Sequence, residues 1–132
     1  MAWASDFKVR LLIPEAVCYE AEGVRSAVIP LGDGYMGILP NHANFIGKIG
    51  MGPASIRLVE GERIFMVRGG WVHVQDNVVE LAASEVIDKK LSDEKIAELK
   101  LKLAELEGKT VEEVEKKRIE SAWIKLLEQY QG

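Results

Sequence analysis

The sequence predicts an α+β chain of two units, an N-terminal antiparallel β-sandwich followed by a C-terminal α-helical hairpin, and two uneven distributions carry the prediction. Of the 38 charged residues among 132, 16 fall in the first 83 positions and 22 in the last 49. Glycine and proline run the other way: all four prolines and ten of the twelve glycines lie in the first part, where they separate short apolar runs as turns separate strands. The boundaries drawn from this are 1–84 for the β unit and 85–132 for the helices. A chain of this length is expected to hold one domain, or two if the second is small.

The strands follow in order. Phe7, Val9, Leu11 and Ile13 alternate with Lys8, Arg10 and Leu12, the period of two that turns one face of a strand to a core. Further runs are read at 16–22, 24–29, 45–49, 55–59, 64–67, 71–75 and 78–82. Between them stand Pro14, Gly23, 30–34, 50–53, 60–62, Gly69-Gly70 and Asp76-Asn77. Spacing this short leaves no room for crossover helices, so antiparallel hairpins and meanders are expected, closing into a sandwich or flattened barrel. Asp76-Asn77 reads as a tight hairpin turn, because both residues tolerate left-handed backbone angles.

The remainder reads as two helices. Ile96, Leu99, Leu103 and Leu106 recur at spacings of three and four and form one apolar stripe. Ser92 is placed to cap the first helix, with Asp93 and Glu94 in its first turn, and Gly108 to end it. The capping-box pattern Thr110-Val111-Glu112-Glu113 then opens a second helix whose apolar side is Val114, Ile119, Ala122, Trp123, Leu126 and Leu127. Glu98–Lys102, Glu112–Lys116 and Glu113–Lys117 stand at i,i+4 on the outer faces. Two short helices supply little core of their own, so this hairpin is expected to be the mobile part.

Composition narrows the function classes. A net charge of −4 gives no general attraction to nucleic acid or anionic lipid, and no nucleic-acid partner is expected. The opening Met1-Ala2-Trp3-Ala4-Ser5-Asp6 lacks a basic leader, and no run approaches the roughly 18 apolar residues of a spanning helix. A cytosolic chain without direct membrane insertion is therefore expected. Cys18, the single cysteine, reads as a buried strand thiol. His42 and His73 have no metal-ligand companions at i,i+2 or i,i+4; no metal or other cofactor is expected. His73 falls on the strand face opposite Val72 and Val74. No nucleophile elbow is present, and the carboxylates lie mostly among lysines on the helices rather than as pairs in a dry pocket. The triplet Gly32, Gly34 and Gly37 imitates a dinucleotide fingerprint but is followed by strands rather than by a helix. It is read instead as a close-turning loop that presents Asp33, Tyr35 and Met36 to another surface.

The run Gly34-Tyr35-Met36-Gly37-Ile38-Leu39-Pro40-Asn41-His42-Ala43 resembles the Gly-x-x-Gly-Ile-Leu-Pro-x-His-Ala signature of the epsilon subunit family of bacterial F-type ATP synthase, called delta in mitochondria. The surrounding order agrees, from the opening strand 7–13 through Gly69-Gly70 to 77–82 and two charged helices, so the resemblance spans essentially the whole chain. It implies a non-catalytic subunit of the rotor's central stalk, on the cytoplasmic face of the bacterial membrane. Such a subunit binds gamma, sits on the c-ring and helps couple ion flow to ATP synthesis. By the same resemblance Gly32, Asp33, Gly34, Tyr35 and Met36 are expected to meet the c-ring, and His42 and Ala43 to face gamma. An acidic residue is frequent in the family where Tyr35 stands, which shifts the expected contact to Asp33 or to packing of the tyrosine.

The resemblance further implies that the helical hairpin regulates, permitting turnover when folded and blocking ATP hydrolysis when extended toward the catalytic alpha/beta hexamer. Lys116, Lys117 and Arg118 are the basic residues expected to meet acidic surfaces there. Some members of the family bind ATP through an acid followed by two arginines. At the matching positions this chain has Ser92, Lys95 and Leu101, and in the alternative alignment at Ile87-Asp88 the arginine position is Leu91. Without the guanidinium fork a phosphate loses its bidentate donors, so ATP binding is expected to be weak or absent. A β-sandwich adaptor with a helical tail, unrelated to rotary coupling, is the competing class.

Overall fold

The computed structural model describes residues 3–88, 92–104 and 111–129. They form seven strands, β1 (Phe7–Ile13), β2 (Ala16–Leu31), β3 (Gly34–Ile38), β4 (Phe45–Lys48), β5 (Met51–Leu58), β6 (Gly61–Gln75) and β7 (Val78–Asp88), then two helices, α1 (Ser92–Ala104) and α2 (Val111–Gln129). The chain divides into two compact units, 1–86 and 87–132.

Within the β unit the strands follow the order β1-β7-β6-β5-β2-β3, β4 pairs with β6, and β1 pairs with β2 as well as with β7. The β1–β2 pairing closes the sheet on itself. Closure removes the exposed edge that β1 would otherwise present, since β7 already lies between β1 and β6. The β1–β7 pair is parallel, running from Lys8 opposite Val78 to Leu12 opposite Ala82, whereas only antiparallel pairing was expected. The reason is topological: β1 and β7 are joined through the whole sandwich, so no hairpin dictates their relative direction.

Two strands are longer than the sequence suggests. The runs 16–22 and 24–29 are one strand, β2, because Gly23 takes φ +69° inside the ladder rather than ending it. Beside Gly23 the register with β1 slips between Phe7 and Val9. From Val24 onward β2 pairs with β5, and from Ala27 also with β3. In the same way β6 joins 64–67 to 71–75. It pairs with β5 up to Arg68 and with β4 from Trp71. At the junction Gly70 has φ +98°, and a Cβ there would run into the carbonyl oxygen of Ala82. Only glycine satisfies both conditions. β7 likewise continues past Ala82 to Asp88, and 34–38, read as part of a loop, pairs with β2 as β3.

The alternation read in the sequence becomes the core. Phe7, Val9 and Leu11 of β1, Val24 and Ile29 of β2, Ile56 of β5, Val67, Val72 and Val74 of β6, and Val79 and Leu81 of β7 belong to one buried cluster. Each fully buried aliphatic side chain contributes roughly 1.5–3 kcal/mol. Asp76 and Asn77 have φ +50° and +60°, the paired left-handed angles of a two-residue hairpin turn between β6 and β7. His73 is exposed between buried Val72 and Val74, as alternation requires.

Cys18 corrects a prediction: its thiol is exposed, not buried. Leu11 opposes Tyr19 and Leu12 opposes Val17, so Cys18 is the extra residue of a β-bulge and leaves the alternation that would have turned it inward. Partial burial, with the nearby Glu15 carboxylate adding to it, pushes its pKa up, which favours the unreactive thiol.

In the helical unit α1 and α2 pack on each other, and Lys100 Nζ reaches Glu128 Oε1 at 2.6 Å between them. Ile96 and Leu99 are buried and Leu103 is half-buried, as the α1 stripe predicts; Leu106, Gly108 and Thr110 lie outside the described residues, as do the capping side chains of Ser92, Asp93, Val111 and Glu113. On α2 the stripe is displaced. Trp123, Ile124 and Leu127 are buried and Leu126 is half-buried, while Val114, Ile119 and Ala122 are exposed. An amphipathic helix offers two neighbouring apolar arcs, and packing selects the one centred on Trp123, the largest side chain. The expected Glu98–Lys102 pair forms at 3.5 Å, where Glu98 also meets Lys95 at 3.8 Å.

Candidate functional site

The residues singled out at 32–36 and 42–43 sit at the two ends of β3, on the turn that precedes it and the turn that follows it. Leu31 pairs with Gly34, so Gly32 and Asp33 alone make the turn and Gly34, Tyr35 and Met36 are the first residues of β3. A two-residue hairpin tip holds its side chains far more firmly than the five-residue loop expected from the glycine spacing. Asp33 projects from the tip, exposed. Tyr35 opposes Pro30 and is 57% exposed. Its hydroxyl lies over Gly52, where a Cβ would stand 2.9 Å from the oxygen. The ring is thus laid across the backbone of β5, and Met36 packs against the core. The hairpin tip and Phe45, Gly47 and Lys48 of β4 together border one open depression. This surface carries a single carboxylate, Asp33, and a single ammonium, Lys48, around an apolar and aromatic floor. It suits contact with a partly apolar protein surface rather than the capture of a charged small molecule.

After β3 the chain turns through 39–44. Leu39 is exposed and His42 half-buried. His42 Nδ1 lies 2.7 Å from the carbonyl oxygen of Ala43; a carbonyl only accepts, so Nδ1 donates. The turn is held by a residue the sequence reading passed over. Asn41 has φ +66°, its N–H donates to Asn77 Oδ1 at 2.6 Å, its Nδ2 donates to the carbonyl of Ala4 at 2.8 Å, and its Oδ1 accepts from the N–H of Ala4 at 3.1 Å. Asn77 in turn sits in the β6–β7 turn, where its carbonyl accepts from the N–H of Lys8 at 3.0 Å. The available signal was the pairing of two asparagines with turn positions, but nothing in a linear sequence says that Asn41 and Asn77, 36 residues apart, meet.

Sequence reading also passed over an apolar outer face. β4 and β6 oppose Ile46 to His73 and Lys48 to Trp71. All four are exposed, Ile46 and Trp71 prominently. Trp71 was legible as the strand neighbour of His73 on the face away from Val72 and Val74.

The remaining predicted residues lie on the helices. Lys116, Lys117 and Arg118 are exposed on α2, and Arg118 is bonded within the helix to Glu115 at 2.8 Å. Lys95 of α1 is partnered by Glu98, and the side chain of Ser92 is outside the described set. Among the described residues no group of three or more His, Cys, Asp or Glu side chains is arranged to hold a metal, and no helix is long and apolar enough to cross a membrane.

Comparison with known proteins gives these surfaces a family. The family model described as ATP synthase, Delta/Epsilon chain, beta-sandwich domain matches residues 6–89. The chain is similar to the ATP synthase epsilon chain of Leptospira interrogans, 35% identical over 100 residues that cover 72% of this chain and 78% of that one. It is also 35% identical over 102 residues to that of Leptospira borgpetersenii, covering 74% and 80%. Its fold is similar to a chain in the Euglena gracilis mitochondrial ATP synthase OSCP/F1/c-ring structure, with a TM-score of 0.79 at 19% identity, covering 98% of this chain and 83% of that one. A chain in the central stalk/c-ring structure of Tetrahymena thermophila mitochondrial ATP synthase gives 0.65 at 18% identity with full coverage of both. With the family's β-sandwich domain matched over most of the chain and the two helices following it, the chain belongs to the ATP synthase delta/epsilon family as an epsilon chain.

Proposed function

We propose that this chain is a non-catalytic subunit of the central stalk of an F-type ATP synthase, bound to gamma and seated on the c-ring, so that rotation of the ring is passed to the catalytic head. The carrying observation is the placement of two firm, exposed turns on a closed sheet. The 32–36 hairpin tip offers Asp33 and Tyr35, and the 39–43 turn offers His42 and Ala43 beside the apolar Ile46–Trp71 face. Rigid turns of this kind bind a partner at small entropic cost. The tip is assigned to the polar loops of the c-ring, and the turn with its apolar neighbour to gamma. In this reading the chain works at the cytoplasmic face of a bacterial membrane, held there by its partners.

The hairpin is assigned a regulatory role. Among the described residues its buried side chains are few, and its helices are local in sequence, so it rearranges at low free-energy cost. Lys116, Lys117 and Arg118 then supply the positive charge that meets acidic surfaces of the alpha/beta hexamer. Lys95 offers a point charge already engaged by Glu98 where other family members place an arginine, and millimolar ATP is expected to leave the melting temperature unchanged. The decisive test is capture of the purified chain by purified gamma, with and without the c-ring, at physiological salt. Stoichiometric capture is the expected result, and its absence with a folded sample overturns the assignment. Truncation after residue 91 in the assembled complex, followed by ATP hydrolysis assays, tests the hairpin: a rise in hydrolysis is expected, and an unchanged rate removes the inhibitory role.

A further inference from the structure

The N-terminal arm ahead of β1 carries the most exposed large apolar side chain among the described residues, Trp3, 81% accessible. A tryptophan on a loose tail would be unremarkable, but the arm is tied down. Ala4 exchanges two hydrogen bonds with the Asn41 side chain, N–H to Oδ1 at 3.1 Å and carbonyl from Nδ2 at 2.8 Å. This is the two-bond pattern that a paired strand residue makes, supplied here by an amide side chain. Asn41 is itself fixed from behind by the 2.6 Å bond to Asn77 Oδ1. A second contact from Asn77 Nδ2 reaches Asn41 Oδ1 at 3.4 Å. The carboxamide therefore spends its donor and acceptor groups on joining three segments distant in sequence: the arm, the 39–44 turn and the β6–β7 turn. Trp3 precedes one end of this tie by one residue, and His42 follows the other end by one residue.

We propose that Asn41 is a positioning residue that clasps the N-terminal arm to the 39–43 turn, so that arm and turn form one partner surface in which Trp3 is an aromatic anchor for gamma. The inference rests on the reading of gamma as the partner of His42 and Ala43. Tryptophan is the side chain most enriched where interface energy concentrates, because it buries a large rigid area with few rotamers to freeze. An anchor held by its neighbour's backbone loses less freedom on binding than one on a free tail. Asn41 touches no partner in this account: it acts through the arm.

The experiment is a double-mutant cycle on the affinity of the full chain for purified gamma. Asn41→Gly keeps the left-handed backbone without steric strain and the N–H bond to Asn77, and removes the carboxamide with its bonds to Ala4 and its longer contact with Asn77 Nδ2. Trp3→Ala is expected to weaken binding at least tenfold, Asn41→Gly by a similar factor, and the double variant no more than Trp3→Ala alone, since an unclasped arm has no anchor to lose. Multiplying losses, or full affinity for Trp3→Ala, overturn the proposal while leaving gamma binding intact. If the unaltered chain fails to bind gamma, the functional assignment falls, and this proposal with it. Should Asn41→Gly lower the melting temperature markedly, deletion of residues 1–5 takes its place. It removes clasped arm and anchor together, and is expected to cost what Trp3→Ala costs; a deletion with full affinity overturns the proposal.

Discussion

The two units of this molecule solve the same problem, burying apolar surface, with opposite means. The β unit pairs strands far apart in sequence, such as β1 with β7, and fixes them at points where only one residue type fits, such as Gly70 against Ala82. The helical unit draws its order from neighbours. Among the described residues its ion pairs are mostly i,i+3 and i,i+4, and its buried set is small, centred on Trp123. Long-range pairing gives cooperative, all-or-none order, whereas local contacts allow a segment to open by itself. The difference is one of range: the β unit is ordered by contacts distant in sequence and the helices by contacts within and between two adjacent segments.

The comparison breaks most readily at Trp123. Trp123→Ala is expected to cost about 3–5 kcal/mol, and if the units are energetically separate the loss falls on the helices alone. Far-ultraviolet circular dichroism should then show the helical signal melting early while the β transition stays where it was; one common, lowered transition would show that both units share a single cooperative core. The reciprocal change is Gly70→Ala. Forcing a side chain to φ +98° costs about 1–3 kcal/mol before the clash with Ala82 is counted, and urea denaturation followed by the β-sheet signal in far-ultraviolet circular dichroism should show the β transition lowered. An unaffected transition would mean that the β6 bend tolerates ordinary residues, and the contrast between the units would lose its sharpest support.

The smallest effect concerns charge. Glu20 lies 2.7 Å from Lys8 and 3.6 Å from Arg10, which also approaches Glu80 at 3.6 Å. The hydrogen bond from Lys8, followed by its charge, holds the Glu20 carboxyl below the usual range. A depressed folded pKa stabilises the fold fully above the unfolded value, about 4.3 for glutamate, and the benefit disappears as pH falls through the folded value. Glu20→Gln should therefore leave a shallower fall in urea midpoint between pH 6 and pH 3 than the parent shows. An identical fall would reduce the network to a surface contact without energetic weight.

Much of this architecture was legible from the chain itself. Alternation over 7–13 and 71–75 places the core, the Gly-Ile-Leu-Pro-Asn-His-Ala run indicates the family, and Asp76-Asn77 indicates its turn. What escaped did so for definite reasons. Gly23 and Gly69-Gly70 look like breaks because a linear reading cannot distinguish a glycine that ends a strand from one that bends it. Cys18 looked buried because a bulge shifts the alternation by one residue, a slip visible only against the partner strand. The α2 stripe was misplaced because Ile119 and Ile124 are equally apolar in sequence, and packing chooses between them. At the candidate site Asp33, Tyr35 and His42 were legible as types, while the hub of Ala4, Asn41 and Asn77 is a tertiary fact.

The parallel β1–β7 pair has a mechanical side. Its partners run in one direction, so Phe7 opens β1 at the end away from Asp88, where β7 leaves the sheet. Force applied at those two places, toward the arm and toward the helices, pulls along the strands and loads the ladder from Lys8–Val78 to Leu12–Ala82 all at once, in shear. No hydrogen bond can be peeled before the next. Any load that enters by the arm and leaves by the last strand is met by the first and last strands side by side.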